Sequence, residues 1–173
     1  ILSHILNQLM PRSRTYIYIV NIILGMLNLN ILLYIMFIIR KVVYGDYDKI
    51  IALLVQLTQC TCSRVQFYAY LEALPENEHI YILESNNIVV ATGKLMVETK
   101  IIRDLRSVGH IEDIVVDEQA RGSGFGKALV SYLITLAKDL NCYKVILDCD
   151  EPLRDFYKSC DLIDKGIQMG KYF

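Results

Sequence analysis

The sequence predicts an α/β fold in which a mixed sheet carries helices on its faces, and three observations predict it. A short apolar strand, Ile111 to Val116, passes through a polar turn, Asp117 to Ala120, and a glycine-rich corner, Arg121-Gly122-Ser123-Gly124-Phe125-Gly126, into a long helix. From Met36 onward, β-branched runs alternate with helical stripes, the order expected when strands and helices share one core. The 173 residues give room for one domain with a substantial core.

Met36 to Val43 is β-branched and reads as the first strand of that domain, with Asp46 as the cap of a helix whose stripe is Ile50, Leu53, Leu54 and Leu57. Ser63 caps a second helix that runs to Leu74 and ends at Pro75. Ile80 to Leu83 and Ile88 to Val97 form a hairpin closed by Ser85-Asn86-Asn87. In the long helix, Phe125, Ala128, Leu129, Tyr132, Leu133, Leu136, Ala137 and Leu140 recur at alternating spacings of three and four, one stripe facing a core. Lys144 to Cys149 follows as a strand, Leu153 to Ser159 as a short helix and Ile167 to Phe173 as a closing strand.

The first 35 residues read differently. Tyr16 to Ile39 holds 24 residues without a charge, long enough to cross a bilayer. Asn21, Asn28 and Asn30 within it are costly in hydrocarbon, and the flanking cations, Arg12 and Arg14 against Arg40 and Lys41, give no orientation. The chain opens on Ile1, and Met36 offers a natural entry into a compact domain. The expectation is therefore an apolar extension over 1–35 followed by the folded domain over 36–173. Membrane anchor, amphipathic extension and non-native upstream segment all stay open for the extension, with membrane association possible only through 16–34.

Net charge is −1, which gives no whole-chain attraction for nucleic acid. Five cysteines, odd in number and without paired C-x-x-C spacing, read as the reduced thiols of an intracellular, cytoplasmic-side protein. His4, His79 and His110 are scattered, and no metal is expected.

The glycine corner carries the first chemical signal. Glycines before a helix let the chain bend tightly and leave free N–H groups at the positive end of the helix dipole, a site for phosphate. A Walker loop would need Lys-Ser or Lys-Thr after its last glycine, and Gly126 is followed by Lys127-Ala128. A dinucleotide fingerprint spaces its glycines G-x-G-x-x-G, whereas Gly122, Gly124 and Gly126 recur at every second residue. The segment resembles instead the pyrophosphate loop of the GCN5-related N-acetyltransferase (GNAT) superfamily, [QR]-x-x-G-x-[GA]. That resemblance implies the acyl-CoA N-acyltransferase fold, a mixed, mostly antiparallel sheet flanked by helices.

A second stretch, Asn141 to Glu151 followed by Phe156-Tyr157-Lys158, could carry acyl transfer. An ammonium substrate must lose a proton before it attacks a thioester, and the departing thiolate must be protonated. Asp148 suits the first task and Tyr157 the second. On spacing alone Asp148 reads as a turn residue and Tyr157 as a core aromatic. Taken together, however, GHIEDIVV, RGSGFGK, NCYKVILDC, FYKSC and QMGKYF resemble the eukaryotic glucosamine-6-phosphate N-acetyltransferase family over Met36 to Phe173. Members of that family acetylate the amine of D-glucosamine 6-phosphate with acetyl-CoA on the route to UDP-N-acetylglucosamine.

The resemblance implies roles position by position. Tyr157 matches the tyrosine assigned to the thiolate, and Asp148 the aspartate beside the amine. Glu112 and Asp113 match an acidic pair at the sugar, with Glu112 also a candidate base. Strand alternation predicts that these two neighbours face opposite ways. Lys100, Ile101, Ile102 and Arg103 match a segment lining the sugar phosphate, with Thr58, Tyr143, Lys144 and Lys171 as further contacts. Arg121, Gly122, Ser123, Gly124, Phe125, Gly126 and Lys127 would hold the diphosphate of acetyl-CoA, and the backbone of Ile114, Val115 and Val116 its pantetheine arm. The family's homodimers share active sites between subunits, so a homodimer is expected.

Departures from the family pattern lie at the periphery: Gln59-Cys60-Thr61 in place of a glycine-containing turn, Leu153 in place of a cofactor-contacting asparagine, and Asp161-Leu162 in place of Gly-Phe. Two rival readings remain. One is a GNAT enzyme for a polyamine or protein N-terminus, which calls for an acidic pocket without the basic segment. The other is a non-catalytic, membrane-tethered acyl-CoA-binding module.

Overall fold

The computed structural model describes the backbone of residues 16–26 and 29–173, and side chains from Phe37 onward. Residues 1–15, the first part of the expected extension, lie outside the described residues. Among the described residues six strands form one sheet in sequence order: β1 (Tyr16–Met26), β2 (Leu29–Lys41), β3 (Glu78–Ser85), β4 (Ile88–Thr99), β5 (Ser107–Val116) and β6 (Cys142–Ile146). Neighbours pair antiparallel except β5 and β6, which run parallel. The described residues of the uncharged stretch are strand: β1 pairs with β2 from Tyr16↔Ile39 to Met26↔Leu29. β2 meets β3 only from Phe37 to Lys41. Among the described residues no helix is long and apolar enough to cross a membrane.

Among the described residues four α-helices are set into this order: α1 (Tyr47–Leu54) and α2 (Arg64–Glu72) between β2 and β3, α3 (Phe125–Asp139) between β5 and β6, and α4 (Arg154–Lys158) after β6. Ser63 caps α2 as expected, accepting from the Gln66 N–H while the Gln66 side chain returns to the Ser63 backbone. The hairpin turn also holds. Asn86 and Asn87 both have positive φ, 51° and 63°, the conformation a two-residue turn demands and asparagine tolerates.

Asp46 departs from its expected part as a helix cap. Its carboxylate is buried and receives Arg40 twice, Nη1 to Oδ2 at 2.8 Å and Nη2 to Oδ1 at 2.9 Å, with the Val43 N–H also on Oδ2 at 2.9 Å. Arg40 Nη2 reaches Glu84 at 2.9 Å as well, so β2, β3 and the turn before α1 share one charged knot. Despite its burial, the Asp46 carboxyl is held below the ordinary range by the Arg40 guanidinium and the Val43 N–H.

The sheet separates two cores. On one face α3 presents Phe125, Leu129, Tyr132, Leu133 and Ala137 to Phe37, Ile39, Tyr81, Leu83, Leu95 and Ile111. On the other, Ile50 and Leu53 of α1 and Phe67 of α2 pack on Ile82, Val89 and Val115. α4 closes a third, smaller cluster in which Tyr157 and Cys160 meet Val130. Ile167 to Phe173 forms no strand, contrary to expectation. Strand-forming residues need a ladder partner, and this tail has none: Ile167, Met169, Tyr172 and Phe173 are almost fully exposed.

Candidate active site

β5 runs beside β6 only as far as His110↔Ile146. Beyond that point Ile111 to Val116 has a partner on the β4 side alone, and a cleft of about 590 Å³ opens along its free edge. Ile114, Val115, Val116, Arg121, Gly122, Gly124, Phe125, Gly126 and Lys127 all line it, opposite Leu153, Phe156 and Tyr157 of the α4 region. Of the cofactor-side residues expected, Ser123 alone turns aside, into a shallow pocket with Phe37 and Ala128.

The glycines of the corner do two different jobs. Gly122 and Gly124 have φ of 80° and 83°, and a β-carbon on either would meet nothing within 4 Å. Backbone conformation, not room, demands glycine there. Gly126 is the reverse case. A β-carbon there would lie 3.1 Å from the Phe156 ring and 3.2 Å from Val116, so this glycine lets α4 close against the start of α3. Gly124 stands at the N-cap of α3 without a capping side chain, leaving first-turn N–H groups for an anion, with Arg121 and Lys127 at the rim.

A second cleft, about 420 Å³, lies past the end of β6 and is lined by Asp148, Cys149, Lys144, Lys158, Gln168 and Tyr157 among others. Tyr157 therefore walls both clefts. Lost hydration, with smaller contributions from Cys149 and Cys160, pushes its phenol up to about 12. Its hydroxyl has no hydrogen-bond partner among the described residues. At neutral pH it is a protonated phenol facing the opening between the strands. Asp148 accepts from Gln168 Nε2 at 2.7 Å, a contact with the tail.

The carboxylates meet through a break in the strand. Thr92 pairs with Val115 and Lys94 with Glu112, so Gly93 stands opposite both Asp113 and Ile114. This is a β-bulge, with Asp113 in the left-handed region at φ 53°. Strict alternation, which would turn Glu112 and Asp113 to opposite faces, therefore fails here. Lost hydration first, then Asp113 and then Asp148, push the Glu112 carboxyl above the ordinary glutamate range. Glu112 keeps much of its surface open to water, and the like charges of Asp113 and Asp148 crowd its carboxyl.

The basic residues lie elsewhere. Arg103, Arg106 and Lys144 surround the Tyr143 ring at 6.0, 5.7 and 5.7 Å. This group sits where Ser107 and Val108 of β5 pair with Cys142 and Lys144 of β6. From Ser107 to Glu112 the strand rises about 16 Å, at about 3.3 Å per residue. Arg103, Asp104 and Leu105 are three consecutive left-handed residues in that loop, and Ile101 and Ile102 project from it, exposed. Lys100 is tied to Glu98, which also holds His110 at 2.9 Å. Thr58 follows Gln56 and Leu57, which line the first cleft, and is not itself in its lining; Lys171 lies on the exposed tail over the Phe173 ring. One chain thus places Asp148 and Tyr157 on one cleft with Lys144 and Lys158, and leaves Arg103, Arg106 and Lys171 out of its lining. Among the described residues no group of three or more His, Cys, Asp or Glu could hold a metal ion.

Sequence reasoning missed Gln56, which lines the first cleft, and Gln168, which holds Asp148. Gln56 belongs to no motif, and Gln168 opens the QMGKYF block, where only Lys171 matches an expected contact. Leu57, expected in the core stripe of α1, lies past the helix end and faces the same cleft.

Known proteins share this arrangement. Residues 48–161 match the model of the Acetyltransferase (GNAT) family. The chain is 42% identical over 144 residues to a probable glucosamine 6-phosphate N-acetyltransferase 2 of Oryza sativa subsp. japonica, covering 78% of this chain and 87% of the relative. It is 40% identical over 136 residues to the glucosamine 6-phosphate N-acetyltransferase of Candida albicans, covering 75% and 91%. The crystal structure of glucosamine-6-phosphate N-acetyltransferase from Arabidopsis thaliana superimposes with a TM-score of 0.76 at 39% identity, covering 79% of this chain and 98% of that one.

Proposed function

The chain belongs to the GNAT acetyltransferase family, and from that premise we propose that it transfers the acetyl group of acetyl-CoA to the amine of D-glucosamine 6-phosphate, giving N-acetyl-D-glucosamine 6-phosphate for UDP-N-acetylglucosamine synthesis. The observation that carries this reading is the shared wall: Tyr157 borders both the glycine-corner cleft and the cleft that holds Asp148. A thioester laid along the free edge of β5, its diphosphate at the start of α3, would bring its sulfur toward that phenol. An amine held among Glu112, Asp113 and Asp148 would approach from the other side.

The chemistry follows from the charges. Three crowded carboxylates attract an ammonium group, and the raised Glu112 is a better proton acceptor near neutral pH than an ordinary glutamate. The neutral amine attacks the thioester carbonyl, forming the C–N bond, and collapse breaks the C–S bond. The thiolate leaves with its electron pair and takes a proton from the Tyr157 hydroxyl, and the surplus proton of the new amide nitrogen returns to the Tyr157 oxygen, so the phenol is restored. No acyl-enzyme is required, because amine and thioester are held together.

A carboxylate cluster repels a phosphate monoester, so the 6-phosphate needs cations. Lys144 and Lys158 line the Asp148 cleft, while Arg103 and Arg106 stand on the Tyr143 ring, about 16 Å farther along the strand from Glu112. That separation supports a homodimer in which a second subunit brings its basic loop to the acidic site. The exposed apolar tail and the free outer edge of β6 support the same assembly.

A thiol-release assay with acetyl-CoA tests the reading. D-glucosamine 6-phosphate is compared with D-glucosamine, spermidine and a peptide amine, alongside Asp148→Asn. Turnover confined to the phosphorylated sugar, and impaired in the variant, is expected. Turnover on spermidine or the peptide would overturn the substrate, and cofactor binding without turnover on any amine would leave only a binding module.

A further inference from the structure

We propose that Gln56 is a positioning residue that bolts the end of α1 to the turn feeding the diphosphate corner, and so sets acetyl-CoA affinity without touching the reacting atoms. This rests on the acetyl-CoA site proposed above. Gln56 Oε1 accepts the Glu118 N–H at 3.0 Å, and Nε2 donates to Asp117 Oδ2 at 3.1 Å. Asp117 Oδ1 in turn accepts the Gln119 N–H at 2.9 Å, and the Asp117 N–H is fixed on Val90 at 2.9 Å. The turn therefore has its direction set by β4 on one side and by Gln56 on the other. Arg121 and the left-handed glycines follow immediately.

The residue type is specific. The contact needs one acceptor for a backbone N–H and one donor for a carboxylate, in fixed order on one planar group. An amide supplies both. Glutamate would keep the acceptor, lose the donor and face Asp117 with like charge. Leucine would supply neither. Gln56 also lines the cleft beside Leu57, two residues before Thr58. The strap thus joins the loop expected at the sugar to the corner expected at the diphosphate.

The test compares two thioesters. Gln56→Glu is expected to raise the dissociation constant for acetyl-CoA about tenfold, the loss of roughly one good hydrogen bond plus repulsion. It should leave that for S-acetylpantetheine, which lacks the diphosphate, within about twofold of the unsubstituted protein. In the double variant Gln56→Glu, Asp117→Asn, the new carboxylate accepts both from the Asn amide and from the Glu118 N–H, and acetyl-CoA affinity should return. Equal losses for both thioesters, no loss for either, or failure of the double variant to recover would overturn the strap. Unsubstituted protein that binds neither thioester would instead sink the acetyl-CoA site on which it rests.

Discussion

The two halves of the proposed site are built by different means. The cofactor half is backbone: a strand edge freed where β5 and β6 part, two left-handed glycines and the uncapped start of α3, all within residues 114–127. The amino-sugar half is side chain, and it is divided. Its carboxylates gather at a bulge, while Arg103 and Arg106 stack on Tyr143 at the far end of the same strands. Backbone sites come complete with the fold, because each N–H is fixed once the helix forms. Side-chain sites can be shared between copies.

Variants at four places would sharpen or break that contrast. Tyr157→Phe sits at the junction and should cost the most, a fall in kcat of about a hundredfold or more with acetyl-CoA binding kept, by steady-state kinetics and calorimetry. Loss of binding instead would make Tyr157 part of the wall alone. Next, mixing Tyr157→Phe with Arg103→Ala, each nearly silent alone, tests the division. Random exchange of subunits should regain about a quarter of normal activity if acids and cations of one site come from different copies. No regain would place the whole site in one chain.

Gly122→Ala should raise the KM for acetyl-CoA about tenfold, since an L-residue at φ 80° costs about 1–2 kcal/mol. The KM for the amino sugar should stay put, and equal change in both would mean the halves are not separable. Smallest is Asp113→Asn, where asparagine keeps the left-handed backbone. Removing one like charge lowers the raised Glu112 carboxyl, so the acid limb of the pH–rate profile should move to lower pH. A limb that stays fixed would exclude Glu112 as the base.

Much of this architecture is legible in the sequence. The α3 stripe, the Ser63 cap and the Asn86-Asn87 turn each rest on local rules of spacing and conformation, and each holds. The glycine corner is equally clear, because its chemistry is local too. What the sequence hides is what depends on distant parts. Asp46 reads as a cap until Arg40 reaches it across the end of β2. The tail residues Ile167 to Phe173 have strand-forming side chains, yet a ladder needs a second strand that composition does not specify. The bulge at Asp113 leaves only a faint mark: the adjacent polar pair Glu112-Asp113 interrupts the alternation of GHIEDIVV, but a polar pair does not say which residue is the extra one, and aspartate tolerates the left-handed position.

That bulge carries one more consequence. Ile111 and Val115 lie four apart, which in an unbroken strand would turn both to the same side. Instead Ile111 belongs to the core beneath α3 and Val115 to the core beneath α1 and α2. Asp113 is the supernumerary residue that makes this possible. Deleting a residue inside a central strand ordinarily turns everything downstream inside out. Deleting Asp113 would leave Ile114, Val115 and Val116 on their present sides and simply straighten the strand. The shortened chain should fold with both cores intact while its strand edge lies differently against β6. At this position, a frame-preserving loss of one codon would then read as a loss of catalysis, with a thermal melt close to that of the parent.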